Sequence, residues 1–208
     1  MILSIEAANQ AGGAVNPAHR PMPLCSKTRQ IEQEGEKMKN EEKQIGLTKT
    51  AAVCGLYCKA CTLYIASTED AERLTRLATR FQFTEDEVKC FGCRSDKRFP
   101  ACGQCKIFSC ATGRGIEFCS ECTDYPCEEL TTFQSAMPHR IELWDDLKSI
   151  KAEGCEAWHK AVQQRYTCSK CHCINSAYDL RCRKCGEEPS CAYVAAHKDA
   201  IEKFLASR

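Results

Sequence analysis

The sequence predicts a small, metal-stabilised, α-rich protein with irregular cysteine loops and a C-terminal zinc ribbon. Three observations carry this: 19 cysteines among 208 residues, six CxxC pairs among them, and separate stretches in which apolar residues recur at helical spacing. Cysteine at about 9 per cent marks a chain whose architecture depends on cross-links or metal. Hydrophobic residues make up 43% with the cysteines already counted, which leaves a modest core for thiol chemistry to supplement. With 29 Lys and Arg against 28 Asp and Glu the formal charge is +1, so the chain is no global polycation for nucleic acid, and any charged surface is local.

The cellular compartment decides what the thiols are for. Glu6 interrupts the N-terminal apolar residues before they reach signal-peptide length, and no run of roughly eighteen apolar residues occurs, so the chain reads as cytoplasmic with no membrane partner. Thiols stay reduced there, and cysteines kept at high density are metal ligands or redox catalysts rather than disulfides.

In chain order, residues 1–48 read as a polar, Glu- and Lys-rich tail, or as sequence preceding a true start at Met38. Residues 49–135 form a cysteine-rich metal-binding cluster interrupted by one helix, capped by Ser67 with Asp70 three residues on, that places Leu74, Leu77, Ala78 and Phe81 on one face. Thr84 with Glu87 makes a second capping box that delivers Cys90. Residues 90–127 read as loops and short turns, after which Pro126 starts a helix through Phe133. A helical segment over 136–166 contains one helix from His139 to Ile150 and another from Cys155 to Tyr166, separated by Gly154. The ribbon occupies 167–187, and Val194, Ile201 and Leu205 mark a final helix within 188–208.

The CxxC pairs are Cys58/Cys61, Cys90/Cys93, Cys102/Cys105, Cys119/Cys122, Cys168/Cys171 and Cys182/Cys185. Two residues between thiolates let both sulfurs reach one ion while the intervening amides offset their charge. Cys168-x2-Cys171-x10-Cys182-x2-Cys185 supplies one closed four-thiolate site. The N-terminal ligand candidates are Cys54, Cys58, Cys61, Cys90, Cys93, Cys102, Cys105, Cys110, Cys119, Cys122 and Cys127, enough for two four-thiolate sites with three thiols over. A further site would borrow Cys155, His139, His159 or Cys191, while Cys173 and Cys25 read as bystanders. Zinc is the expected ion, with at least two between Cys54 and Cys127; the alternative is an iron–sulfur cluster there. Cys54-x3-Cys58-x2-Cys61 also has the spacing of radical S-adenosylmethionine enzymes. Ala60 stands where those carry an aromatic, however, and no repeated strand and helix units follow.

The strings Cys54-Gly55-Leu56-Tyr57-Cys58, Cys90-Phe91-Gly92-Cys93-Arg94-Ser95-Asp96 and Gly115-Ile116-Glu117-Phe118-Cys119-Ser120-Glu121-Cys122, continuing to Tyr125-Pro126-Cys127, resemble a cysteine-rich prokaryotic domain of unknown function. The likeness spans about residues 52–166 and implies metal binding in a cytosolic prokaryotic protein, with no established reaction. The ribbon, with Tyr166 ahead of its first ligand and Asn175 after its second, resembles the Ran-binding-protein type of zinc finger, which carries Trp at the Tyr166 position. Some members of that class stack single-stranded RNA on the Trp and others bind ubiquitin, so the resemblance implies a stacking position at Tyr166; Arg181 and Arg183 nearby either suit RNA phosphate or, the favoured reading, balance the charge of the thiolates. The leading functional expectation is a zinc-binding interaction or regulatory module with an unidentified protein partner. Its rival is an iron–sulfur redox protein or enzyme. No catalytic residue stands out.

Overall fold

The computed structural model describes residues 35–37 and 46–207. The expected tail, the Met38 start and Cys25 lie outside the described residues, apart from a helical turn at 35–37 and the start of another at 46–49. All labelled elements belong to the compact unit Asn40–Arg208.

A buried loop over residues 50–58 is the hub. Ala51 and Tyr57 pair as an isolated antiparallel bridge, the Cys58 amide donates to the Thr50 carbonyl at 2.8 Å, and Gly55 turns the chain by donating to Ala52 at 2.9 Å. Small residues make this tight reversal buriable: Ala51, Ala52 and Val53 are all enclosed. Around the hub gather α1 (Thr62–Thr68), α2 (Ala71–Phe81), α3 (Glu85–Val88), α4 (Pro100–Gly103), α5 (Lys106–Gly113), α6 (Glu128–Ser135), α7 (Leu143–Glu153), α8 (Cys155–Tyr166) and α9 (Ala192–Ala206). Single 3-10 turns occur at Cys58–Ala60, Cys119–Glu121 and Pro138–Arg140, and no β-strand occurs among the described residues. The α-rich expectation holds.

Several expected boundaries shift for identifiable reasons. Asp70, not Ser67, caps α2, because a carboxylate can accept both the Arg73 amide at 2.9 Å and the Arg73 Nε at 3.0 Å. Ser67 instead ends α1, donating to the Leu63 carbonyl and accepting the Cys90 amide at 2.8 Å. The Thr84/Glu87 capping box is present at α3. Residues 90–127 are not loops throughout, since Ile107 and Ala111 give α5 a buried stripe and Pro100 opens α4. α6 starts at Glu128 rather than Pro126, with Glu128 and Glu129 facing its positive end. The helix expected from His139 begins at Leu143, after the 3-10 turn.

The main core joins the hub to α7, α8 and α9 through Leu143, Leu147, Trp158, Val162, Tyr193, Val194 and Ile201, while Leu63, Leu74, Ala78 and Val88 form a satellite. Phe81 and Leu205, expected inside, are 37% and 40% exposed. Asp146 on α7 is buried, and burial raises its pKa. It accepts the Trp158 indole N–H and Arg165 Nη2, both at 2.9 Å, while Arg165 also meets Glu142, which His197 on α9 contacts at 2.7 Å. One charged network therefore clamps three helices whose packed faces are otherwise apolar.

Gly92 sits at φ +113, and a Cβ there would meet the Lys49 carbonyl oxygen at 2.6 Å. The obstacle is backbone and cannot swing away. Gly92→Ala is expected to destabilise by about 1–3 kcal/mol through strain alone, more if the hub shifts. A urea midpoint unchanged from wild type would contradict this.

His139 is half-buried against Tyr178, whose hydroxyl lies 2.5 Å from Nδ1, and its Nε2 accepts Arg140 Nε at 3.3 Å. Burial, with Arg140 adding repulsion, pushes its pKa down to about 3. An unfolded histidine titrates near about 6.5, so below that pH the denatured chain binds a proton that the native chain refuses. Stability is therefore full above about 6.5 and falls as pH drops toward 3, by up to about 1.4 kcal/mol per pH unit from this residue. His159, also shifted down by burial, acts in the same direction. His139→Gln is expected to flatten the fall in urea midpoint between about pH 6.5 and 5, with metal content followed at each pH. Equal slopes in the two proteins would contradict the assignment.

Candidate metal centres

The ribbon is built from two copies of one backbone turn. In the first, the Cys168 amide donates to the Cys173 carbonyl at 2.9 Å and the His172 amide to the Cys168 carbonyl at 3.0 Å. In the second, the Cys182 amide donates to Glu187 at 2.8 Å and the Gly186 amide to Cys182 at 2.9 Å. Both turns place the residue after the second cysteine in the left-handed region, Gly186 at φ +75 and His172 at φ +58. Glycine adopts this readily; His172 bears the cost of a side chain there. The paired turns bring Cys168, Cys171, Cys182 and Cys185 together with every sulfur within 4.8 Å of the others. Cys168 and Cys185 approach to 3.7 Å, and Cys171 and Cys182 to 3.5 Å.

The surroundings favour thiolate at Cys182, whereas at Cys185 the help of the Glu187 amide is outweighed by burial and by the sulfurs of Cys171, Cys168 and Cys182, which push that thiol up to about 12. Burial opposes charge on Cys182, but the Cys185 and Lys184 amides outweigh it and hold the pKa down to about 6. Fully buried Asn175 secures the site: its Nδ2 donates to the Cys173 carbonyl at 3.1 Å, the Ser190 carbonyl at 3.2 Å and Cys182 Sγ at 3.6 Å, while Oδ1 accepts the Arg183 amide at 3.0 Å. Cys173 lies outside the tetrad with its thiol on the Ile174 carbonyl.

The ribbon is fastened to α2. Arg73 reaches Asp179 through two nitrogens at 3.2 and 2.9 Å, and Arg183 pairs with Glu69. Position alone hid these partners, which lie 106 and 114 residues apart in sequence.

Tyr166 departs from the RNA expectation. It is a core side chain, stacked on Tyr193 at 4.7 Å and on Tyr57 at 6.2 Å, so it presents no free face to a base. Arg183 is spent on Glu69 and the Ile174 carbonyl, and Arg181 pairs with Glu188 at 2.9 Å. Of the three residues, Tyr166 lies in the core, while the Arg181 side chain stays 75% exposed beside Glu188.

The N-terminal cysteines fall into neighbourhoods. Burial pushes the Cys58 and Cys61 thiols up, Cys93, Cys61 and Cys90 adding to it at Cys58 and Cys90 at Cys61, and the Cys93 amide donates to Cys58 Sγ at 3.3 Å. Cys102, pushed up to about 12 by burial, feels Cys61, Cys90, Cys93 and Cys105. Cys119, also near 12 from burial, feels Cys127, Cys110 and Cys122. Cys54 lies buried between these groups, beside Cys93, Cys105 and Cys119. In neither neighbourhood do three sulfurs converge as the ribbon's do: the Cys168 tetrad is the group found among the described residues. The borrowed-ligand candidates stay apart as well. His139 has both ring nitrogens engaged, His159 Nε2 lies 2.9 Å from Thr50 Oγ1, Cys155 opens α8, and Cys191 accepts from Ser190 Oγ at 3.6 Å.

Residues 50–132 match the model of one protein family, described as a protein of unknown function (DUF3795). The match holds all eleven N-terminal cysteines, from the hub into α6, and agrees with the resemblance to a domain of unknown function. The match ends before α7, so the clamped helices and residues 167–187 lie beyond it. No curated protein and no solved structure matches the chain. No helix among the described residues is long and apolar enough to cross a membrane.

Proposed function

We propose that the chain is a zinc-stabilised interaction module in which Cys168, Cys171, Cys182 and Cys185 hold a structural ion. Closure carries this reading: four thiols within 4.8 Å of one another complete a tetrahedral shell and leave no position for substrate. An all-sulfur tetrahedral set suits zinc, and the Asn175 amide and the knuckle amides offset the charge of the thiolates. Bound there, zinc would supply folding free energy, while the Arg73–Asp179 and Arg183–Glu69 pairs fix the ribbon against α2.

The interaction half of the reading is supported by an exposed aromatic face. Phe81 and Phe83 are 37% and 39% exposed, and both pack against Phe99 at ring distances of 5.1 and 5.9 Å. Clustered exposed aromatics are the usual anchors of a protein contact. A cytoplasmic setting is consistent with the many free thiols. Zinc analysis of the purified chain tests the proposal: at least one zinc per chain is expected, with one equivalent lost in Cys171→Ser. A fully metal-free chain of unchanged helicity and thermal midpoint would contradict it.

A further inference from the structure

We propose that Cys110, Cys119, Cys122 and Cys127 hold an iron–sulfur cluster, a centre distinct from the ribbon site. The four cysteines come from three elements that meet around one small cavity. Cys110 lies on α5, Cys119 and Cys122 bracket the 3-10 turn, and Cys127 caps α6. Their backbones are fixed: the Cys119 amide donates to Val53 of the hub at 2.8 Å, and the Cys110 and Cys127 carbonyls accept from Arg114 and Thr131, each at 3.0 Å.

All four cysteines line a partly open cavity of about 50 Å³, with Ile116, Tyr125 and Leu130 among its apolar walls and one carboxylate, Glu129. A water-sized atom needs about 10–15 Å³, so the space takes several atoms rather than one. Hydrocarbon walls give water few partners, which leaves thiols as the chemistry that addresses the space.

Separation of the sulfurs decides the class of occupant. The same chain draws the ribbon sulfurs to within 4.8 Å of one another, as one tetrahedral ion requires, yet no three of these four meet that distance. Four cysteines arranged around a multi-atom space match a cluster in which each thiolate binds a different iron or two thiolates bind each iron. Donors already point at the sulfur: Arg114 Nη1 lies 3.2 Å and the Asp124 amide 3.4 Å from Cys122 Sγ, with Arg114 held by Asp124 at 2.7 Å. Hydrogen bonds to cluster thiolates stabilise their charge and tune the centre.

The test uses the full chain prepared without oxygen and reconstituted with ferric iron, a thiol reductant and sulfide in the presence of zinc. Iron and acid-labile sulfide in equal amounts, with broad visible charge-transfer absorption, are expected. Cys119→Ser should lower bound iron by about tenfold or more. Cys110→Ser, at an exposed position on α5, should do the same with helicity retained, while Cys171→Ser should lose ribbon zinc and keep the iron. Iron uptake insensitive to both Cys110→Ser and Cys119→Ser would overturn the proposal. So would a second zinc, lost in Cys110→Ser, in protein that takes up no iron. Neither result bears on the ribbon zinc, which Cys171→Ser reports separately.

Discussion

Cys182→Ser is expected to release one metal equivalent, unfold residues 167–187 and lower the thermal midpoint by more than about 10 °C. Structural zinc contributes about 10–16 kcal/mol in isolated fingers, against about 5–15 kcal/mol for the net stability of a whole domain. Cys182 also accepts from Asn175, so its loss disturbs the side chain that ties both knuckles to Ser190. The damage should spread to α2, because the Arg73–Asp179 and Arg183–Glu69 pairs lose their ribbon partners. Hydrogen exchange provides the readout: amides of the two knuckles, now bonded at 2.8 to 3.0 Å, should become unprotected, and α2 should lose protection in part. A variant with knuckle protection intact would show that metal does not hold the ribbon.

Asp146→Ala is expected to cost about 3–5 kcal/mol, or on the order of 10 °C in thermal midpoint. The carboxylate is buried between a buried indole N–H and the Arg165 guanidinium, so its removal leaves one donor unsatisfied and one cation half-paired. Asp146→Asn separates the two losses, since an amide oxygen can still accept from Trp158 but carries no charge. The expected order of stability is wild type, Asn, then Ala, read from urea midpoints at constant m. Equal midpoints for all three would remove the clamp from the account.

Local chemistry made much of this fold legible in the sequence. The Thr84/Glu87 box, the Gly154 break and the Cys155–Tyr166 helix are set by residues within a few positions of one another, so spacing suffices to find them. The meeting of Cys168, Cys171, Cys182 and Cys185 was equally readable, because the two knuckles are local turns with the same hydrogen bonds. Partners far apart in sequence were not. Tyr166 precedes a ligand by two residues, which suggested an exposed stacking ring, but Tyr57 and Tyr193 enclose it, and neither is near it in sequence. The grouping of N-terminal cysteines was hidden for the same reason: eleven thiols at similar spacing allow many partitions, and only the meeting of α5, the 3-10 turn and the α6 cap draws four of them around one cavity. Helices in residues 90–127 were missed because cysteine and glycine lower propensity locally, while burial of Ile107 and Ala111 overrides it.

X-ray absorption at the zinc edge of the purified chain tests the central claim most directly. The account predicts bound zinc with four sulfur neighbours at about 2.3 Å and no oxygen or nitrogen in the shell. That signal should drop by one zinc equivalent in Cys171→Ser. A shell containing oxygen or nitrogen, or a signal unchanged in that variant, would contradict a closed structural site at Cys168, Cys171, Cys182 and Cys185.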